Sequence, residues 1–350
     1  MRHNAGMDEP FSDSPDTRDA AAAHPFTRLT PECVLDALDS VLASSGVRTD
    51  GRLLPLNSYE NRVYQVGVED GPPVVAKFYR PQRWSDEAIL EEHTFVAELA
   101  EAEIPVVPAR EIGGCTLHAF NGFRFSVFER RGGRAPDLDR RDTLEWMGRF
   151  IGRIHAIGKR KPYAARPTLD IATFGYESRD FLLSHDFVPP ELRASYEAAA
   201  TLALEGVERA FDAAGEVAYL RLHGDCHASN VLWTDAGPHF VDFDDSRTGP
   251  AIQDLWLLLP GGRADASHAL TDLLAGYEDF SEFEPRELHL IEALRTLRLM
   301  HYAAWLARRW DDPAFPAAFP WFNTQRYWEA RVLELREQIG AMQEGPLWPV

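Results

Sequence analysis

Apolar and polar positions follow two rhythms along the chain, and the change from one to the other divides it. Between residues 53 and 129 short apolar runs alternate with turn residues. Residues 53–56, 62–68 and 74–79 read as strands, the last two joined by Glu69-Asp70-Gly71-Pro72-Pro73. Runs at 108–112 and 123–129 extend this to a sheet of about five strands. Two helices belong to the same region. In the first, Val34, Leu35, Leu38, Val41 and Leu42 share a face, Thr30-Pro31-Glu32 opens it and Gly46 stops it. The second, predicted over 85–101, opens with Ser85-Asp86-Glu87 and carries Ile89, Phe95, Val96 and Leu99 on its apolar face.

After Arg130-Arg131-Gly132-Gly133-Arg134 the apolar spacing lengthens to about 3.6 residues, the helical period. Leu144, Met147, Phe150, Ile151 and Ile154 mark a helix over 143–157, and others are predicted at 190–213, 266–277, 286–310 and 324–342. His155 reads as a core or junction histidine. The dense aromatic group from Trp305 to Trp328 reads as helix packing rather than a ligand box. The pattern predicts an α+β protein of two lobes: residues 29–130 around an antiparallel sheet, and a larger, mainly helical lobe over 131–350. Residues 1–28, rich in Asp, Ser, Pro and Ala without a periodic apolar face, are expected to form a disordered tail.

Composition narrows the function classes. The 350 residues suffice for two lobes with substantial cores. With 36 Lys and Arg against 55 Asp and Glu, the net charge is −19, without the broad positive footprint of a nucleic-acid binder. Three scattered cysteines (Cys33, Cys115, Cys226) do not suggest a disulfide framework, and no apolar run is long enough to span a bilayer. A cytoplasmic protein is expected, a monomer with no nucleic-acid or membrane partner.

The candidate chemistry sits between His223 and Asp245. There HGDCHASN is followed by VLWTDAGPHFV and DFDD, placing Asp225, Asn230 and Asp242 on a loop and the hairpin after it. Phosphoryl transfer from ATP needs this set: one acid to orient or deprotonate the attacking hydroxyl, an amide and a second acid to hold magnesium on the phosphates. Protein kinases use HRD-x4-N and DFG for the same tasks, and Asp225 and Asn230 keep that spacing. The apolar runs 231–233 and 239–241 around Asp235-Ala236-Gly237-Pro238 predict a hairpin returning Asp242 to Asn230. Lone Asp and Asn residues are ordinary loop formers; their conjunction in this context favours the catalytic reading.

Upstream, Asn57-Ser58-Tyr59-Glu60-Asn61 lies between two strands, where a loop over the phosphates belongs. It holds no glycine, and Ser58 is its candidate phosphate donor. Lys77, in an apolar strand, needs anionic partners: ATP phosphates and either Glu91 or Glu92, with Glu92 favoured because it shares a stripe with Phe95, Val96 and Leu99. Residues 128–130, Phe128 to Arg130, form the candidate hinge whose backbone reads adenine. Asp254, ahead of an apolar helix, could cap that helix or support the catalytic loop. Cys226 is read as a small loop residue before a redox-sensitive one.

With these residues laid out, the chain resembles the aminoglycoside-phosphotransferase and choline-kinase branch of the protein-kinase-like fold. It resembles more closely still the bacterial stress-response kinase A family. SYENRVYQV, VVAKFYRP, ILEEH, FSVFERRGGR, HGDCHASNVLW, FVDFDD and GPAIQDLW carry the likeness, from about Leu29 to Pro346. It implies a magnesium- and ATP-dependent serine/threonine protein kinase of the stress-response type that also phosphorylates itself. Asp225 would be its catalytic acid or base, Asn230 and Asp242 its metal ligands, Ser58 an ATP contact, and Lys77 the partner of phosphate and helix glutamate. Ser229 stands where the family motif has glycine, which matters only if that backbone needs positive φ. Two alternatives stay open, a small-molecule kinase of the aminoglycoside, choline or homoserine type and a non-catalytic ATP-binding regulator.

Overall fold

The computed structural model describes residues 26–56 and 58–350. Its first lobe begins with α1 (Pro31–Leu42), whose N-terminus is capped by the Thr30 hydroxyl accepting from the Cys33 amide. A 3₁₀ turn then ends at Gly46 in the left-handed region, the stop that the sequence predicts. Strands β1 (Thr49–Leu56), β2 (Arg62–Val68) and β3 (Val74–Phe78) follow, then α2 (Asp86–Glu101), capped by Ser85, and β4 (His118–Phe120) and β5 (Phe123–Glu129). The sheet runs β1-β2-β3-β5-β4, antiparallel throughout.

Alternation along β3 fixes what each face does. Val74, Ala76 and Phe78 join Phe125 and Val127 against Val34, Ala37 and Leu38 of α1. Lys77, one residue out of phase, faces the other way. The expected strand at 108–112 is not one: it makes only isolated bridges, Ala109 to Phe128 and Ile112 to Cys115, and β4 is the fifth strand instead. Pro108 has no N–H to give a ladder, and Gly113-Gly114 follow at positive φ. Most of the expected tail lies outside the described residues; of its last three, Phe26 is buried and stacked on Phe123 at 6.3 Å.

The second lobe is built from α3 (Arg141–Gly158), α4 (Glu177–Ser184), α5 (Pro190–Ala214), β6 (Tyr219–Arg221), the hairpin β7 (Val231–Thr234) and β8 (Gly237–Phe240), and β9 (Thr248–Pro250). It continues with α6 (Ile252–Trp256), α7 (Arg263–Tyr277), α8 (Ile291–Ala307), α9 (Ala314–Ala318) and α10 (Gln325–Gln343). The single helix expected at 286–310 is divided, residues 285–290 being 3₁₀ before α8 begins. Helices α3 and α7 touch backbone to backbone: a Cβ on Gly148 would lie 2.0 Å from the Leu273 carbonyl oxygen, and one on Gly276 1.9 Å from that of Glu145. Phe95, Val96 and Leu99 of α2 belong to this lobe's core, so α2 spans the junction. Among the described residues no helix is long and apolar enough to cross a membrane.

Candidate active site

Two loops of the second lobe meet under the sheet of the first. The hairpin pairs Val231 with Phe240 and Thr234 with Gly237, and the Val241 amide donates to the Asn230 carbonyl at 3.0 Å. The residue after Val241 is thereby returned beside Asn230, as the turn chemistry predicts. Asp242 adopts the left-handed conformation (φ 61°, ψ 62°), which Asp tolerates better than most residues, and its side chain is 57% exposed to the cleft. Ser58, Asp225, Asn230 and Asp242 all line one cavity of about 590 Å³, with Tyr59, Glu60, Arg298, Tyr302, Trp305 and Phe319 on its other walls.

Asp254 holds the loop bearing Asp225. Its buried carboxylate accepts from the amides of His223 and Gly224, both at 2.8 Å, and from His155 Nε2 at 3.1 Å. Because the N-cap of α6 is Ala251, Asp254 does not cap that helix. His155 is fully buried, its Nδ1 against the Tyr277 hydroxyl at 3.0 Å, a core histidine that orients Asp254. Gly224 has φ 87°, and a Cβ there would lie 2.2 Å from the Asp245 carbonyl oxygen, so glycine is obligatory. His223 joins the two loops by donating Nε2–H to the Val241 carbonyl at 2.9 Å. Ser229 is not among the described residues with positive φ, so serine costs nothing in place of glycine. Cys226 is fully buried, and burial, with Asp254 and Asp225 nearby, pushes its thiol well above the usual range.

Asp225 is gripped from both sides. Arg298 Nη1 donates to Oδ1 at 2.6 Å, and His227 Nε2 lies 3.3 Å from Oδ2. Burial would raise this carboxyl, but the hydrogen bond from His227 and the charge of Arg298 outweigh it and keep it well below the usual carboxylate range. Asn230 donates Nδ2–H to the Asp225 carbonyl at 2.9 Å, which leaves its amide oxygen for the cavity.

Lys77 reaches this centre from β3. Its Nζ lies 3.0 Å from Asp244 Oδ1 and 3.3 Å from Asp242 Oδ1. Burial alone would lower the ammonium, yet Asp244, Asp242 and Glu92 hold it well above its ordinary value. Of the two candidate glutamates, Glu92 faces inward, buried, as its stripe predicts. Its ion pair is with Arg166 at 2.9 Å rather than directly with Lys77, on which it acts only through its field. The reason is local: Arg166 is anchored on the carbonyls of Ala88, Asp244 and Ser246, which delivers its guanidinium to Glu92. Glu91 instead accepts from the amides of Ala164, Ala165 and Arg166. Phe128 and Arg130 lie apart from the cavity walls: Phe128 sits edge-on to His93, and Arg130 donates to Gln65 Oε1 at 3.0 Å.

Several residues here were not singled out from sequence. Arg83 binds Asp244 and reaches Asp245 at 2.8 Å. Burial raises Asp244, but Arg83 and Lys77 bring it down to about 2. Glu60 is clamped by Arg80 Nε at 3.0 Å, Arg309 Nε at 2.5 Å and Trp305 Nε1 at 2.6 Å, tying the 58–61 loop to α8. Trp305 and Phe319, from the aromatic group read as packing, also face the cavity.

A sheet lobe over a helical lobe, with acids and an amide converging in the cleft, is the architecture of a phosphotransferase. The family described as phosphotransferase enzymes matches residues 52–291. Stress response kinase A of Escherichia coli (strain K12) is 44% identical over 326 residues, covering 93% of this chain and 97% of that protein. Serine/threonine protein kinase RdoA of Salmonella typhimurium (strain LT2) is 44% identical over 325 residues, with the same coverage. The chain therefore belongs to the phosphotransferase enzyme family and, within it, to the stress response kinase A family. Amicoumacin kinase hAmiN, in complex with AMP-PNP, Ca2+ and Ami, shares the fold with a TM-score of 0.65 at 20% identity, over 86% of this chain and 90% of that one. A choline/ethanolamine kinase family protein from Mesorhizobium loti does so at 0.56 and 16%, over 89% and 98%.

Proposed function

We propose that this phosphotransferase moves the γ-phosphate of ATP, with magnesium, to serine or threonine hydroxyls of proteins, its own among them. The observation that carries the reading is the convergence of Asp225, Asn230 and Asp242 on one interlobe cavity, with Lys77 3.3 Å from Asp242. The donor set fits magnesium: a carboxylate and a carboxamide are hard oxygen ligands, Asp242 is open to the cleft, and the Asn230 oxygen is free of its amide's hydrogen bond. Asn230 and Asp242 would hold the ion, which when bound neutralises charge on the phosphates.

Around it the chain's residues divide the work. The loop at Ser58 covers the phosphates, and the backbone from Phe128 to Arg130 takes the adenine. Lys77 supplies positive charge next to Asp242, kept charged and oriented by Asp244 and by the field of Glu92. Asp225 accepts a hydrogen bond from the acceptor hydroxyl and aims its oxygen at the γ-phosphorus. Because His227 and Arg298 keep it a weak base, its contribution is orientation, with the proton leaving late, as a loose transition state allows.

The name of the relative RdoA supports a protein acceptor. Profiling tests the choice. Incubation with γ-labelled ATP and magnesium should label protein, with phosphoserine or phosphothreonine recovered on hydrolysis. Transfer only to choline, homoserine or an aminoglycoside would establish a small-molecule kinase, and nucleotide binding without transfer to any acceptor would establish a regulator.

A further inference from the structure

Arg298 belongs to none of the motifs, lies 73 residues from Asp225, and yet makes the shortest contact that acid has. It stands on the face of α8 that also carries His301, Tyr302 and Trp305, all lining the cavity. The arginine side chain is 41% exposed and the aspartate 22%, and an ion pair so open to solvent adds little to folding stability. Its geometric effect is larger. A carboxylate on a loop can turn about two side-chain bonds; a guanidinium on Oδ1 and an imidazole on Oδ2 stop both rotations.

We propose that Arg298 is a positioning residue for phosphoryl transfer, fixing the carboxylate plane of Asp225 so that the acceptor hydroxyl meets the γ-phosphorus in line. The inference rests on the reading of Asp225 as the acid that orients the acceptor. In the step it serves, the acceptor oxygen bonds to the γ-phosphorus as the bond to the β,γ-bridging oxygen breaks. ADP leaves with the electron pair, and the hydroxyl proton passes to Asp225 and on to solvent. Since α8 also supplies Trp305 to Glu60, and Arg309 just past its end adds a second contact, the same helix sets the position of both the acid and the 58–61 loop.

The test follows ADP production from Mg-ATP, which counts transfer to any acceptor including water, with and without myelin basic protein. In Arg298→Ala, kcat should fall on the order of 10²-fold, the loss a misplaced reacting group brings, while KM for ATP and the melting temperature stay near wild type. Arg298→Lys should recover part of kcat. Added guanidinium chloride, at concentrations below denaturation, should partly rescue Arg298→Ala where sodium chloride at equal ionic strength does not. Wild-type kcat in Arg298→Ala would overturn the proposal, as would a loss that tracks the melting temperature and resists both rescues. Asp225→Asn separates the two levels: full turnover there overturns the reading of Asp225 itself, and with it the role of Arg298.

Discussion

Replacing Asp254 by alanine removes the one acceptor shared by the amides of His223 and Gly224 and by His155 Nε2, at 2.8, 2.8 and 3.1 Å. The carboxylate is 1% exposed, so the three donors have no bulk solvent to turn to. Hydrogen bonds to a charged group contribute about 1.5–3 kcal/mol each, and a buried donor left without a partner costs about 1–3 kcal/mol. The three losses are coupled through one side chain and do not sum; a destabilisation of about 3–5 kcal/mol is expected, as for breaking a buried charged network. Asp254→Asn keeps one acceptor oxygen and turns an N–H toward the other amide, so about half that loss is expected. Urea unfolding followed by tryptophan fluorescence measures both, the midpoint falling at constant slope. Turnover should fall as well, because the two amides define the loop that carries Asp225. A loss below about 1 kcal/mol in Asp254→Ala would refute the energetic reasoning. Full turnover in a destabilised variant would refute the positional part.

Lys77→Met should lower kcat by about 10²–10³-fold, the scale for removing one preorganised charge, and should also lower the melting temperature because Asp244 and Glu92 lose their buried cation. Glu287, buried, has its carboxyl raised to about 7 by burial against the pull of the Ile252 amide. Its folded-state value exceeds the unfolded one, so the stability it favours is complete below about pH 4 and declines as pH rises through about 7, by at most about 3 kcal/mol. Unfolding free energies from pH 5 to 8 should therefore fall more steeply in the wild type than in Glu287→Gln; parallel curves would refute the assignment. Glu60→Gln should weaken the tie between the 58–61 loop and α8, seen as faster proteolysis in that loop and a raised KM for ATP. Under native thiol labelling read by mass spectrometry, exposed Cys115 should react and buried Cys226 should stay unmodified until denaturant is added.

What the sequence discloses depends on how locally each feature is determined. The spacing of Asp225 and Asn230 and the hairpin returning Asp242 are set within about twenty residues by turn chemistry and alternation, and both are legible. The inward face of Glu92 follows from helical periodicity. Its partner does not: Arg166 is 74 residues away, Arg298 is 73 residues from Asp225, and Arg83 161 from Asp244. Such long-range pairs are fixed by how the lobes dock, which periodicity does not encode. The strand expected at 108–112 shows the opposite error, apolar content read as pairing where Pro108 and two glycines deny the ladder its geometry. The aromatic group is half-legible: Phe315, Phe322 and Trp328 are core, as packing predicts, while Trp305 and Phe319 serve the cavity from the same stretch.

The most direct measurement compares wild type and Asp225→Asn at matched melting temperature, with γ-labelled ATP, magnesium and a protein acceptor, in rapid-quench single turnover. The wild type should place label on serine or threonine in a magnesium-dependent burst, and the variant should bind nucleotide with equal affinity and transfer at least about 10³-fold more slowly. Equal rates in the two proteins, or label transferred without magnesium, would contradict the assignment of this cleft.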